Sequence, residues 1–529
     1  DFFKLFLDTS FNNYFQISDQ KDFISLLLII LFFAYVFKFL FSILVLFVQN
    51  KFILNTYFKI SKKLISKYIY NNYLFHVKNN LSTLIRNLRD ETKGFIFNVV
   101  MRIFSLTLDI LILIFFSIFL FFYNFEVTLI IFLFILMLSF LYLFIVRKKL
   151  IFIGKKRALL EKINIQNIVE SLSGIKEIKI LSLEKFFIER FSINLKDYTE
   201  VQRKFAILHG LPRQIIDVIA VTIFIFFIFI SNKLLYEMSE ILILIGVYSA
   251  AALKLIPIFS RIIISLQQYS FNSPSVDIIY EELFVKNKNT NFHELLSNNN
   301  FNELKEIKDF NEIKFQNVSF KYENNSQIIL ENVNFSIKGN SRIGIFGPSG
   351  SGKSTLADLL VGLLKPSSGE ILIDDLSLTR INLKSFRSIV SYCQQIPYLL
   401  DGTIKQNIIL DKDFNENNFI KSLTLSSVDA FLKTKIGNAD TFVGERGIML
   451  SGGQKQRVSI ARAAYNQPKI IILDEATNAL DKKTQNSILE AIKNRIQACI
   501  FISHDEEVLK HCDEIYELKE KKLILIKNK

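Results

Sequence analysis

A chain of 529 residues exceeds one ordinary domain, and half of it is apolar although it carries a formal net charge of +14. The apolar residues crowd into Phe/Ile/Leu runs in the first half, which suits a membrane protein with basic loops and excludes a nucleic-acid binder as the source of the charge. The three cysteines, Cys393, Cys499 and Cys512, lack metal-ligand spacing and read as reduced, buried thiols.

About 20 apolar residues cross a hydrocarbon core. Five stretches reach or approach that length: 23–48, 95–122, 127–146, 213–231 and 240–265. The second is longer than a bilayer needs, so it is expected to project into water. Segment 49–94 carries Lys and Arg from Lys51 to Lys93 against only Asp90 and Glu91, and segment 147–212 opens on Arg147, Lys148 and Lys149. The turn at 123–126 has no Lys or Arg, and the turn at 231–239 has only Lys233. Basic loops stay in the cytoplasm, so the two long loops are read as cytoplasmic and the stretch before Phe23 as outside. A chain that begins outside, at Asp1 rather than Met, would fit a preceding span absent from the sequence, making six helices. A cleaved signal peptide is the other route to the same start.

Residues 1–280 are therefore expected to form an α-helical transmembrane domain, with 281–309, Asn-rich over 286–302, as a linker. From Phe310 onward short β-branched strands alternate with helical stretches, so 310–529 reads as an α/β domain. In it the strand 343–346 runs into Gly347, Pro348, Ser349, Gly350, Ser351, Gly352, Lys353, Ser354 and Thr355 and then a helix. This is the P-loop spacing: glycines let backbone N–H groups converge on phosphates, and the helix N-terminus favours the anion. Lys353 is expected at the β- and γ-phosphates of ATP and Ser354 on Mg²⁺. Downstream, the apolar strand 470–473 ends in Asp474, suited to the Mg²⁺ shell, and Glu475, placed to polarise an attacking water.

Between these lie Leu450, Ser451, Gly452, Gly453 and Gln454, a second glycine-rich helix start. This LSGGQ run resembles the signature of the ATP-binding cassette (ABC) transporters. The resemblance implies that the loop closes over ATP held by the P-loop of a second subunit, so one such domain cannot complete a site. It also implies adenine stacking by Tyr322 and a Q-loop role for Gln395, which shares the Mg²⁺ shell although Gln394 stands where proline is usual. Asp481 falls in the D-loop and His504 is the switch histidine. Two departures stand out: Phe442 replaces the usual Glu in the loop before the signature, and Asp505-Glu506 follows His504. By resemblance, the chain is one half of an exporter: a six-helix type membrane domain with its first helix absent, then the ATPase. It is expected in the inner (plasma) membrane, with the ATPase domain cytoplasmic, and paired with a second half, as a homodimer. Coupling helices are expected around 73–82 and 173–185.

Charges inside spans are costly and so point to substrate. Lys38, Arg213, Lys254 and Arg261 are expected either to line a cationic cavity, doubled by dimerisation, or to snorkel to the headgroups. The pattern around Pro212-Arg213, Lys254 to Arg261 and Ser275 to Tyr280 is similar to flippases of lipid-linked oligosaccharides in bacterial glycosylation. That resemblance implies an amphipathic, anionic cargo such as a polyprenyl-pyrophosphate oligosaccharide. Export of other lipids, drugs or peptides is the alternative, and a regulated channel or non-transport ATPase is disfavoured by intact Glu475 and His504.

Overall fold

A computed structural model describes residues 20–233, 238–285, 304–322, 327–433 and 438–528. The stretch preceding Phe23, the Asn-rich linker and part of the turn at 231–239 lie mostly outside those residues. The chain divides into two compact units, residues 1–71 with 75–292 and residues 72–74 with 293–529.

Unbroken Leu, Ile and Phe favour helix wherever lipid leaves the backbone no other hydrogen-bond partner. The first unit accordingly consists of long helices: α1 (Gln20–Tyr70), α3 (Leu81–Tyr123), α4 (Phe125–Ser173), α6 (Glu184–Lys233) and α7 (Met238–Tyr280). Short helices α2 (Tyr73–Lys78) and α5 (Ile175–Leu181) occupy the two turns where coupling helices are expected. All five long helices are apolar enough to cross a membrane. At ~1.5 Å per residue their 43 to 51 residues extend about twice the thickness of the hydrocarbon core. The sequence pattern predicts such an overhang only for α3. It is missed elsewhere because hydropathy marks the lipid-crossing part alone; the polar continuations stay helical without an apolar run to announce them.

Beyond the apolar stretches the helices are joined by buried polar groups. Two π-helical turns, Asn87–Glu91 and Ile96–Val100, interrupt α3. Glu91, fully buried at the end of the first, accepts from Arg157 Nη2 of α4 at 3.0 Å and from Ser275 Oγ of α7 at 2.5 Å. Arg157 also donates to Asn272 Oδ1 at 3.3 Å. A buried carboxylate persists because it is paired and hydrogen-bonded. Close approach of α4 to α7 needs Gly154, where a Cβ would stand 2.1 Å from the Phe271 carbonyl oxygen.

The second unit begins with an antiparallel sheet in the order β2-β1-β4-β5, formed by β1 (Glu312–Lys321), β2 (Ile328–Lys338), β4 (Ser368–Ile373) and β5 (Leu376–Ser377). A second sheet runs β10-β9-β3-β8-β7-β6, with β3 (Arg342–Phe346), β6 (Val390–Cys393), β7 (Ile470–Asp474), β8 (Ala498–Ile502), β9 (Glu514–Lys519) and β10 (Lys522–Asn528). Strands β6, β7, β8, β3 and β9 pair in parallel in that order, and β7 and β8 are buried throughout. Their near-continuous Ile/Leu/Phe composition suits strands covered on both faces. Parallel strands share one carboxyl edge, and Lys353, Ser354, Gln395, Asp474, Glu475 and His504 lie at or just beyond the ends of β3, β6, β7 and β8.

Candidate functional site

Strand β3 ends at Phe346 and the chain turns through 347–352 into helix α8 (Lys353–Leu360). Gly347, at φ +153°, and Gly352, at φ +105°, hold backbone that side chains rarely adopt; a Cβ at Gly347 would also stand 2.3 Å from the Leu518 carbonyl oxygen. Lys353 opens α8 and its ammonium donates to the carbonyls of Gly347 (2.7 Å) and Pro348 (3.0 Å). Burial depresses the pKa of that ammonium, against the opposing pull of Glu475 and Asp474. Ser349 is exposed, Gly350 takes φ +79°, and Ser351 Oγ is buried without a hydrogen-bond partner among the described residues. An orphaned hydroxyl near the Lys353 ammonium, in a loop that brings backbone N–H groups together, fits a phosphate chain. Thr355 follows Ser354 on the first turn of α8.

From the carboxyl end of β7, Asp474 Oδ2 accepts from Ser354 Oγ at 3.0 Å and from the Tyr392 hydroxyl at 2.9 Å. A hydroxyl and a carboxylate 3.0 Å apart beside a phosphate cradle are the oxygen donors Mg²⁺ takes. Tyr392, on β6, is pushed far above the ordinary phenol range by burial and by the Asp474 charge, so it stays a neutral donor. The next residue, Glu475, takes φ +50°, a conformation costly outside glycine and common at functional turns. Its Oε2 accepts from Gln395 Nε2 at 2.6 Å and from Asn478 Nδ2 at 3.2 Å, and its Oε1 lies 3.8 Å from His504 Nε2. Thus Lys353, Ser354, Gln395, Asp474, Glu475 and His504 occupy one edge of one sheet.

Tyr392 and a second group, Asp358, carry no motif. Asp358 on α8 is raised to about 6 by burial and then by Asp474. Sequence reasoning missed both, because only the strand order β6-β7 sets the tyrosine against Asp474.

Ser451 caps helix α9 (Gly452–Tyr465): its Oγ accepts from Gln454 N while the Gln454 side chain accepts from Ser451 N at 2.9 Å. This reciprocal pair closes the first turn and leaves the glycine N–H groups at the helix start. Gly453 lies against the loop after β7, since a Cβ there would be 2.7 Å from the Ala479 carbonyl oxygen. Among the described residues no hydrogen bond or ion pair joins 451–454 to 347–355. Asp481 caps helix α10 (Lys482–Arg495), accepting from Thr484 N at 2.9 Å, which holds its carboxyl below the ordinary value. Tyr322, at the end of β1, sits edge-on to Phe320 with ring centres 5.0 Å apart. Phe442 is exposed.

In the membrane unit the four cations do not behave as a set. Arg261 Nε and Nη2 both donate to Asp109 of α3, at 2.9 and 2.6 Å, and Asp109 is buried. Arg261, expected either to line a cationic cavity or to snorkel, is thus held in a fork-to-carboxylate pair. Lys38 lies 5.3 Å from the Tyr35 ring centre, and Arg213 and Lys254 are exposed. Helices α3, α4, α6 and α7 enclose a cavity of about 440 Å³ lined by residues such as Phe132, Tyr142, Ile216, Tyr248 and Phe259. None of the four cations lines it.

Two family models match the chain in order: the ABC transporter transmembrane region over residues 2–251 and the ABC transporter model over 330–478. ABC transporter B family member 13 of Arabidopsis thaliana is 36% identical over 210 residues, 39% of this chain and 17% of that protein. The multidrug transporter atrD of Emericella nidulans is 36% identical over 217 residues, 40% of this chain and 16% of its own length. The mycobactin import ATP-binding/permease protein IrtB of Mycolicibacterium thermoresistibile is 33% identical over 205 residues, 38% of this chain and 35% of its length. The chain thus spans well under half of each of these relatives. A bacterial Atm1-family ABC exporter solved with ATP bound has the same fold, with a TM-score of 0.78 at 21% identity over 96% of this chain and 88% of that one.

Proposed function

We propose that this chain, an ABC transporter with the exporter arrangement of one helical membrane domain fused ahead of one ATP-binding domain, hydrolyses ATP to move an amphipathic molecule across a membrane. One observation carries the reading: Lys353, Ser354, Gln395, Asp474, Glu475 and His504 meet at one sheet edge. Lys353 and the loop N–H groups, with the Ser351 hydroxyl, hold the phosphates, and Tyr322 stacks on adenine. Ser354, Asp474 and Gln395 would hold Mg²⁺, which would supply positive charge against the phosphates. Glu475 orients and deprotonates the attacking water, and His504 steadies the γ-phosphate. The match to ABC exporters supports pairing with a second copy, in which each signature 451–454 serves the partner's ATP. Basic loops support a cytoplasmic ATPase domain in the inner membrane.

For cargo, exposed Lys38, Arg213 and Lys254 support an anionic lipid-linked molecule such as a polyprenyl-pyrophosphate oligosaccharide. The uncharged cavity favours a second reading, a neutral lipophilic cargo, in keeping with the multidrug name of one relative. Flipping assays in proteoliposomes decide between them. Replacing Lys38, Arg213 and Lys254 together by Gln should abolish movement of a pyrophosphate lipid while basal ATP hydrolysis persists. Unchanged flipping by that variant removes the three cations as the cargo site, and no movement of the pyrophosphate lipid by the wild-type chain removes the anionic cargo and leaves the exporter.

A further inference from the structure

The residues after the switch histidine, Asp505 and Glu506, depart from the pattern that the rest of the ATPase follows, and the hydrolytic reading gives them no task. Asp505 is the N-cap of the one-turn helix Glu506–Leu509: its Oδ1 accepts from Glu507 N at 3.0 Å, and its own N–H donates to Ser503 Oγ at 3.0 Å. A cap needs no more than this.

The same carboxylate, however, reaches a different element. Gln485 Nε2 donates to Asp505 Oδ2 at 3.2 Å, and Lys482 Nζ stands 3.4 Å from both oxygens. Lys482 and Gln485 lie on the first turn of α10, the helix that Asp481 caps. Gln485 is buried, with a second contact to Thr477 Oγ1 at 3.3 Å, two residues past Glu475. The Lys482 pair alone is exposed and worth little. The buried amide is different, because its donor faces a charged acceptor with few alternatives. One side chain therefore ties the segment that carries His504 to the helix that begins at Asp481, and through Gln485 to the loop after Glu475. Backbone bonds join the ends of β7 and β8, with Glu475 N donating to Ile502 O at 2.9 Å; beyond the strand ends, this carboxylate links the His504 segment to α10.

We propose that Asp505 is a positioning residue that holds the His504 segment and the Asp481 turn in one register, so that both reach the nucleotide between two copies together. This rests on the reading of ATP hydrolysis at composite sites. It makes Asp505 a determinant of turnover and not of ATP binding, because neither Lys353 nor the P-loop touches it.

The test uses the full chain in proteoliposomes, measuring kcat and KM for ATP. Asp505→Ala is expected to lower kcat about 10-fold, equivalent to one weakened contact in the transition state, with KM within about 2-fold. Asp505→Ser separates positioning from capping: serine caps a helix well but cannot reach Gln485. It should lose turnover as Ala does, whereas wild-type turnover would show that Asp505 is a cap alone and overturn the proposal. Gln485→Met should reproduce the loss, and combining it with Asp505→Ala should stay near 10-fold, where independent effects would approach about 100-fold. Additive losses, or a rise in KM matching the fall in kcat, also overturn it. Glu475→Gln serves as the control for the underlying reading: normal hydrolysis by that variant takes the base role from Glu475 and sinks the hydrolytic reading of this sheet edge, whatever Asp505 does.

Discussion

The two halves differ in how far apart in sequence their functional partners lie. In the ATP-binding half the phosphate cradle is contiguous, residues 347–355 in a single strand-turn-helix, and Lys353 bonds to carbonyls five and six residues back. In the membrane half the charges are matched across 152 positions for Asp109 and Arg261, and across 66 for Glu91 and Arg157. A site built from backbone is written locally, since glycine spacing dictates the turn. A buried ion pair is written in the packing of helices, and either partner read alone looks like a free charge.

That contrast predicts where a single substitution acts. The largest effect belongs to the local site. Glu475→Gln should bind ATP yet hydrolyse it about 10²–10⁴-fold more slowly, the usual loss for a general base, with helix content and thermal midpoint unchanged. Phosphate release and nucleotide binding measured side by side check it. Near-normal release would take the base role from Glu475, and a fall in binding would mean that the site is less local than its motif.

The same contrast explains what could be read from the sequence. Glycines, a lysine and an acid pair after an apolar strand are rare combinations, so the residues that meet at the sheet edge could be named from the sequence down to Ser354, Asp474 and Gln395. Tyr392 and Asp358 were not, because strand order and helix burial, not spacing, set them near Asp474. In the membrane half, hydropathy located five spans and the break at Asn124, where Thr128 Oγ1 lies 2.9 Å from the Leu120 carbonyl. It missed the helical overhangs, and it counted Arg261 as a cation because a lone Asp109 within an apolar run carries no sign of its partner. Cys393 and Cys499 are buried and raised to about 12 by that burial, so they remain thiols.

The membrane half should answer to substitution through stability. Asp109→Asn leaves Arg261 without its carboxylate. Breaking a fully buried pair costs about 3–5 kcal/mol. Both residues lie in segments read as membrane spans, so the 52% exposure of the Arg261 side chain is not exposure to bulk water, and a loss approaching that range is expected. Pairing Asp109→Asn with Arg261→Gln should restore part of the midpoint, because no charge is then stranded. Thermal unfolding in detergent measures the cycle. Strict additivity of the two losses would mean that the contact does not couple α3 to α7, and the two halves would then differ less than their bonding suggests.

The smallest expected effect lies where the local site meets packing that its motif does not encode. Asp358 sits on the P-loop helix, and burial, with help from the Asp474 charge, raises its carboxyl from 3.8 to about 6. A group raised on folding binds protons more tightly in the native state. Its stabilising contribution is complete below the unfolded value near 4 and is lost as pH rises through about 6. At neutral pH the native state therefore carries an ionised, partly buried carboxylate that it would shed if it could. The full shift would correspond to about 3 kcal/mol, but Asp358 is only partly covered and solvent screens it, so about 1 kcal/mol is expected. Asp358→Asn removes the charge and keeps the shape. Its unfolding midpoint should match wild type near pH 4 and exceed it by a growing margin between about pH 5 and pH 7. Asp474→Asn should shrink that margin, since it removes the second cause of the shift. A margin that does not depend on pH would mean that Asp358 titrates normally, and its burial beneath the P-loop would then be too shallow to matter.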